Sequence, residues 1–257
     1  MDESVSIMAL PGIPEIFAGD NISDVLCSVM EAHGLILENG DIICIAHKII
    51  SKAEGNVINL IDVNPSRKAI KLSKDLNKDA RKIEVILRES TEIVRSFKHS
   101  ELSEGVMICE HRLGFISANA AVDESNVGSD ATVITLPSDP DLSARQIRKA
   151  LMKRFQVDVG VIITDTFGRP WRIGQVNVAI GLAGIPATLS QVGEFDGWGR
   201  PLKVTEPAFA DELAASTGLV MQKSSRTPVV IIKGLKWTPI KSKAADILRK
   251  KKEDMFR

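Results

Sequence analysis

Cysteine is scarce in this chain of 257 residues: Cys27, Cys44 and Cys109 are the three, and no two form a CxxC pair. Their neighbours are apolar, with Ile42, Ile43 and Ile45 around Cys44. The thiols therefore read as buried and reduced, which fits a reducing compartment. A net charge is also missing, because Lys+Arg and Asp+Glu both number 33. That balance argues against a dedicated nucleic-acid binder, whose footprint is a basic excess. It leaves an anionic small substrate open, since a local group of Lys and Arg can hold one inside a neutral protein. No run approaches the roughly 20 apolar residues of a membrane span. The stretch Met1–Leu10 carries acids at positions 2 and 3 and has no basic segment before a long apolar one, so the expectation is a soluble cytoplasmic protein. Nor is there a GxxxxGK[ST] phosphate loop, a GxGxxG fingerprint, an HExxH or a GxSxG. A nucleotide would need a cradle of another design. The four histidines, His33, His47, His99 and His111, show no metal-ligand spacing and read as surface or satisfied groups.

What is present is a chain rich enough in apolar residues, 44% of the total, to build a sizeable core. Its length suits one large domain or two intimately joined ones. Strand-like and helix-like stretches alternate. Asp41–Ile45, after the turn signal Asn39-Gly40, reads as a buried strand. Asn64-Pro65-Ser66 announces a helix over Arg67–Leu76. From Asp79 to Phe97, apolar Ile83, Leu87, Val94 and Phe97 recur at helical spacing and predict one helix. Gly105–Ile108 and Gly114–Ala118 look like paired strands. Asp139-Pro140 opens an amphipathic helix carrying Leu142, Ile147, Leu151 and Phe155. Val159–Thr164 and Val176–Ile180 are β-branched strands, Ala208–Met221 is helical, and Pro228–Lys233 is a last core strand. The basic tail from Lys241 to Arg257 suggests a surface helix. Short connections between mixed elements indicate α/β or α+β.

Four polar segments interrupt the apolar strands. In Leu10-Pro11-Gly12-Ile13-Pro14, Gly12 would let backbone approach a ligand, or mark a plain turn. His47-Lys48-Ile49-Ile50-Ser51-Lys52 follows the buried strand directly, and its lysines suit phosphate oxygens or simple solvation. Asn119–Gly128 holds Asp123, Glu124, Ser125 and Asn126, hard oxygen donors for Mg²⁺ or Mn²⁺, or an ordinary acidic turn. The richest is Ile162-Ile163-Thr164-Asp165-Thr166-Phe167-Gly168-Arg169-Pro170-Trp171-Arg172. It predicts Asp165 and Thr166 at the end of a core strand, where open α/β sheets keep their sites. A carboxylate for a cation beside two guanidiniums for anions is not a core-packing pattern.

These segments resemble the coenzyme F420-0:L-glutamate ligase family. The likeness runs through Leu10-Pro-Gly-Ile, Ile50-Ser-Lys-Ala-Glu-Gly, Asn119-Ala-Ala-Val-Asp-Glu-Ser-Asn-Val, Ile163-Thr-Asp-Thr-Phe-Gly-Arg-Pro-Trp-Arg, Ala179-Ile-Gly-Leu-Ala-Gly-Ile, Ala210-Asp-Glu-Leu-Ala-Ala and Pro228-Val-Val. It covers most of residues 8–237, in order, and leaves the basic tail outside. The resemblance implies a mixed α/β (α+β) fold peculiar to the family, spanning 1–240 as one domain or two interlocked subdomains, in an intertwined homodimer. It implies a GTP-dependent ligase that joins L-glutamate to F420-0, then a second glutamate through a γ-linkage. Mg²⁺ or Mn²⁺ would serve, two per site, with K⁺ assisting some members. By similarity, Asp123 and Asp165 would ligate one metal, and Thr166 and Gln222 would reach a second. Leu10, Pro11, Gly12, Ile13, His47, Lys52, Asn126, Met221, Gln222, Lys223 and Ser224 would line the nucleotide, and Asp165, Arg169 and Arg172 would carry the chemistry.

The chain departs from the family pattern at Met221–Pro228. Relatives usually have glycine followed by Glu or Gln there, whereas this loop is one residue short, so Gln222 takes a ligand role only if the loop shifts. The implied mechanism transfers the GTP γ-phosphoryl group to the F420-0 carboxylate, and the glutamate amine then attacks the acyl phosphate. Such a reaction depends on positioning and charge neutralisation. Lys52, Arg169 and Arg172 would offset phosphate charge. Rival readings are an amide ligase for another acid acceptor and a non-catalytic GTP-binding module.

Overall fold

The computed structural model describes residues 4–124, 131–222 and 225–254. In chain order the first half contains β1 (Ser6–Ala9), α1 (Ile22–Ala32), β2 (Ile42–Ala46), α2 (His47–Ala53), β3 (Val57–Asn59), α3 (Arg67–Leu76), α4 (Ala80–Glu89), β4 (Ser90–Phe97), β5 (Val106–His111) and β6 (Ile116–Ala118). The second half contains β7 (Thr132–Ile134), α5 (Pro140–Phe155), β8 (Gly160–Arg169), β9 (Arg172–Ala183), α6 (Phe209–Met221) and β10 (Val229–Lys233). Short 3-10 turns fill Leu60–Asp62, Asn119–Ala121, Ala244–Ile247 and Lys251–Glu253. The result is a mixed α/β fold, as the alternating pattern predicts.

The main sheet has the order β1-β10-β2-β8-β9. β2 and β8 run parallel and every other neighbouring pair is antiparallel. The central runs Ile42–Ile45, Val161–Ile163 and Val229–Ile232 are inaccessible to solvent on both faces, which is why their sequences read as continuous rather than alternating apolar runs. Alternate residues serve two cores. Ile43, Ile45, Val161, Ile163 and Ile231 pack with Leu26 and Met30 of α1 and Ile147 and Leu151 of α5. Ile42, Cys44, Ile162 and Ile232 pack with Ala210 and Leu213 of α6. A third core belongs to a second lobe, where α3 and α4 cover the sheet β4-β5-β6 through Ile83, Ile86, Met107 and Cys109.

Several expectations need correction. The helix predicted over Asp79–Phe97 ends at Glu89, and Ser90–Phe97 is strand β4, paired antiparallel with β5. Thr91, Ile93 and Val94 are β-branched, and the ladder with β5 outweighs an apolar spacing that only coincided with a helical face. The buried residues of α4 are Lys82, Ile83, Val85 and Ile86, so Leu87 is peripheral. Leu142 in α5 is exposed rather than part of the core. The tail, through Asp254, forms two 3-10 turns in place of the surface helix. Ala244 donates its N–H to Asp141 Oδ1 at 3.1 Å and Ser242 bonds the Ile185 carbonyl, so the tail is strapped along the sheet lobe. Cys44 and Cys109 are buried as expected, whereas Cys27 is half-buried on α1. Burial raises the pKa of all three thiols. Among the described residues, no helix is long and apolar enough to cross a membrane.

Candidate active site

The candidate residues converge where the sheet narrows. β2 pairs with β8 only as far as Ala46 opposite Thr164, while β8 continues to Arg169 as a two-stranded ribbon with β9. Asp165 therefore lies inside a long strand, one residue past the last β2 pairing, rather than at the strand end the sequence suggested. The pairing with β9 slips between Ile163 and Thr164, leaving Ile180 as an extra residue. Such bulges re-aim side chains and recur beside functional sites.

The chain turns directly from β2 into α2, so His47 and Lys48 are its first helical residues. Each reaches a different carboxylate. His47 is buried, its Nδ1 is 3.1 Å from Ser51 Oγ, and its Nε2 stands 3.2 Å from Asp165 Oδ1. That last approach lacks hydrogen-bond geometry, so the buried Nε2 has no hydrogen-bond partner among the described residues. Lys48 Nζ donates to Asp123 Oδ2 at 2.6 Å. Two consecutive residues of α2 thus contact both Asp123, from the second lobe, and Asp165, from the main sheet. Asp165 is 12% exposed and Asp123 35%, so the first is walled in and the second opens towards solvent.

The segment that delivers Asp123 is under backbone tension. Asn119, Ala120 and Ala121 all have positive φ, at 52°, 49° and 56°. Left-handed backbone at a residue with a β-carbon costs about 1–2 kcal/mol, and it persists only where surroundings enforce it. Ala120 is packed in the second core, and the N–H of Met107 donates to Asn119 Oδ1 at 3.3 Å. After this turn, Asp123 exchanges both backbone hydrogen bonds with Ile134, at 3.1 and 2.8 Å.

The other candidates are distributed around this pair. Leu10 is buried and its N–H donates to the Val229 carbonyl at 2.9 Å, while Ile13 packs against the core and Pro11 and Gly12 are exposed. Gly12 has φ +82°, and a β-carbon there would lie 2.7 Å from His33 Cε1, so the close approach is to that ring. Lys52 is ion-paired with Glu15. Thr166 is one residue from Asp165 and therefore faces the opposite side of the ribbon. Its hydroxyl donates to Asn177 Oδ1 at 3.0 Å, and Asn177 reaches on to Thr217 and Met221 of α6. Gln222, exposed with φ 25°, ends α6 on that side. The ribbon's tip carries Arg169, whose Nη2 donates to the Ile173 carbonyl at 3.0 Å and whose buried Nε has no partner among the described residues, and Arg172, which is exposed. Asn126, Lys223 and Ser224 lie outside the described residues.

Sequence patterning missed Lys78, Lys82 and Asn177. Lys78 and Lys82 are buried lysines beside Glu104. Burial lowers the Lys78 pKa, the like charge of Lys82 adds to the effect, and Glu104 opposes it. The available signal was a lysine in the first turn of a helix, where the macrodipole disfavours cations. Lys48, a candidate for phosphate oxygens or solvation by its sequence, is paired with Asp123 in the structure. Further along β8, Phe167 meets Phe115 at 4.8 Å, and Phe115 stacks on His111 at 4.8 Å, so aromatic contacts also cross between the lobes. The Leu113 N–H donates to His111 Nδ1 at 3.0 Å, which leaves the proton on Nε2 to donate to Glu89 at 3.2 Å.

Chemically, the two carboxylates met by adjacent residues of α2 are hard oxygen donors suited to a divalent cation, and the ammonium of Lys48 already occupies a position of positive charge against one of them. Among the described residues no three His, Cys, Asp or Glu side chains gather in a metal-holding group. A cation held here would complete its shell from hydroxyl, amide or backbone oxygens, or from a ligand's own oxygens, as Mg²⁺ commonly does with phosphates.

Residues 12–234 match the model of the F420-0:gamma-glutamyl ligase family. The chain is 41% identical over 256 residues to the coenzyme F420:L-glutamate ligase of Methanothermobacter thermautotrophicus, covering 98% of this chain and 99% of that one. It is 42% identical over 261 residues to the ligase of the same name from Methanopyrus kandleri, covering 99% and 98%. With the one from Methanocaldococcus jannaschii it shares 45% over 222 residues, 86% of each chain. A match across most of the chain's length joins both lobes and both acidic segments: the chain belongs to the F420-0:gamma-glutamyl ligase family.

Proposed function

We propose that this chain is a GTP-dependent ligase of coenzyme F420 biosynthesis that joins L-glutamate to F420-0, and then a second glutamate through a γ-linkage. Family membership and the names of relatives matching end to end support the substrates. The observation that carries the reading is the convergence of Asp123 and Asp165 on the consecutive residues His47 and Lys48. A free carboxylate is a poor acylating agent. In the proposed reaction a carboxylate oxygen of F420-0 takes the γ-phosphoryl group of GTP, releasing GDP. The glutamate amine then attacks the acyl carbon, an amide forms, inorganic phosphate leaves and the amine sheds a proton.

Asp123 and Asp165 would hold one Mg²⁺ or Mn²⁺, with Thr166 and Gln222 on the α6 side of the ribbon available to a second and K⁺ as an auxiliary ion. When bound, such ions neutralise phosphate charge. Leu10–Ile13, His47, Lys52 and Asn126 would line the nucleotide, and Met221–Ser224 would close it. Lys52, released from Glu15, and Arg169 and Arg172 would balance phosphate oxygens. Excluding water matters because it would hydrolyse the acyl phosphate. A homodimer fits the exposed apolar side chains of the ribbon tip and the neighbouring loop, Trp171 (87% exposed), Ile173, Phe195 and Trp198 (91%), since large apolar patches mark interaction surfaces.

The test combines purified protein, GTP, Mn²⁺, F420-0 and L-glutamate, and follows product mass and GDP. Glutamate-dependent GDP release with glutamylated F420 is the expected result; neither product nor GDP defeats the proposal. Asp165→Asn should lower turnover by roughly 100-fold or more with an unchanged circular dichroism spectrum. Full activity in that variant removes Asp165 from the reaction.

A further inference from the structure

The second lobe contains a buried charge cluster that borders the candidate site without belonging to it. Lys78 precedes α4 and Lys82 lies in its first turn, four residues on, and both are nearly inaccessible. Each Nζ stands 3.3 Å from the same oxygen of Glu104. Each lysine also has a second partner, and both of those partners lie on one short segment. Lys78 donates to Asn119 Oδ1 at 3.4 Å, and Lys82 donates to Glu124 Oε2 at 2.6 Å. Asn119 begins the left-handed turn, and Glu124 follows Asp123 directly. The strained segment is therefore pinned at both ends by two lysines four residues apart in sequence, with Asp123 between the pins.

This placement runs against local preference. Beyond its N-cap Asp79, the first turn of α4 has no acidic residue and carries Lys82, although a helix N-terminus disfavours cations. A buried ammonium also needs a partner to offset its lost hydration. Stability alone gives little reason to keep lysines here, whereas fixing a loop does.

We propose that Lys82 is a positioning residue for Asp123: it anchors Glu124 and so fixes the adjacent carboxylate against Lys48, while Lys78 secures the other end of the segment through Asn119. The inference rests on the reading of Asp123 as a metal ligand. Outer partners that orient a ligand typically change metal affinity by roughly 10- to 100-fold when removed.

The experiment measures Mn²⁺ binding to the whole protein without nucleotide, from loss of the free-ion electron paramagnetic resonance signal, alongside thermal melting and the Mn²⁺ dependence of turnover. Lys82→Met keeps the stem and removes the ammonium. It should weaken Mn²⁺ binding roughly tenfold or more and shift turnover to higher Mn²⁺, with kcat largely recovered at saturating metal. Lys82→Arg should restore binding, and Lys82→Met should add little to Asp123→Asn, because the two act through one ligand. Glu124→Gln, on a half-exposed side chain, carries the same test if Lys82→Met does not fold, and should show the same direction of shift. A lowered melting temperature with unchanged Mn²⁺ affinity in the folded variants overturns the inference. If Asp123→Asn itself leaves Mn²⁺ binding intact, the metal-ligand reading fails instead.

Discussion

Substituting Gly12 by alanine isolates how the turn at Leu10–Ile13 is held. Two costs follow from the structure. A β-carbon at φ +82° places an L-residue in left-handed backbone, about 1–2 kcal/mol. The same carbon would sit 2.7 Å from His33 Cε1 and 3.4 Å from Nε2, too close for the ring to stay. His33 is exposed and can swing away, but its Nδ1 then gives up the 2.9 Å hydrogen bond to the Val29 carbonyl, worth about 0.5–1.5 kcal/mol. Alanine also stiffens the unfolded chain, which offsets about 0.4–1 kcal/mol. The net loss is about 0.5–3 kcal/mol, or a fall of roughly 1–12 °C in melting temperature for a chain of this size. Thermal denaturation of Gly12→Ala, His33→Ala and the double variant separates the contributions, because only the steric part disappears when the ring is gone. The double variant should be about as stable as Gly12→Ala alone, because the displaced ring has already lost its hydrogen bond to Val29, so the two losses do not add. If Pro11–Ile13 line the nucleotide as proposed, the KM for GTP should rise more than kcat falls in the ligase assay. A neutral Gly12→Ala, or purely additive effects in the double variant, would refute the reasoning.

Two further outcomes follow from packing and charge. Gly181 on β9 faces the start of α5, and a β-carbon would meet the Pro140 carbonyl carbon and oxygen at 2.6 Å. Backbone cannot swing aside as His33 can, so Gly181→Ala should cost about 1–3 kcal/mol or more, and wild-type melting of that variant would contradict the close contact. Glu89 illustrates a pH dependence. Burial opposes its ionisation, but the hydrogen bond from His111 and the charge of Arg112 prevail, and its pKa is lowered. A depressed carboxylate contributes stability that is present above the unfolded value of about 4.3 and is lost as pH falls through the folded value. Glu89→Gln should therefore be less stable than the native chain at pH 7, by roughly 1–3 kcal/mol for a charged hydrogen bond. The gap should close on acidification below about pH 4, as followed by urea unfolding; a gap that widens with acid would be inconsistent with this linkage.

The fold was legible wherever local rules and tertiary burial agree. β2 and β10 announce themselves as unbroken apolar runs because both of their faces are covered. α3 begins where Ser66 caps it, its hydroxyl accepting from the Ala69 N–H at 3.2 Å, and α5 begins at Asp139-Pro140. Reading failed at Ser90, where a helix gives way to a strand with no Gly or Pro to mark the change. The decisive partner there is β5, and a periodic pattern does not encode a ladder formed elsewhere in the chain. The site was half legible for the same reason. Asp123 and Asp165 stand out as polar groups ending apolar runs, but the pairing of Lys48 with Asp123 spans 75 residues. Lys82 reaches Glu124 across 42. No spacing rule announces either contact.

The consecutive placement of His47 and Lys48 explains why the site can draw on two cores. Successive helical residues point about 100° apart, given 3.6 residues per turn. Residues at i and i+4 would address one face and one neighbouring element; adjacent ones address two. His47 turns to the ribbon of the main sheet and Lys48 to the segment from the second lobe, so α2 acts as a gauge between two independently packed bodies. The aromatic path from His111 through Phe115 to Phe167 spans the same seam, and Phe167 lies on the same face of β8 as Asp165, two residues on. Interiors packed at crystal-like density move as units rather than deforming gradually. The separation of the two carboxylates is consequently set by how the lobes dock. That gives a physical reason for the family resemblance to run through both lobes rather than to concentrate in one motif.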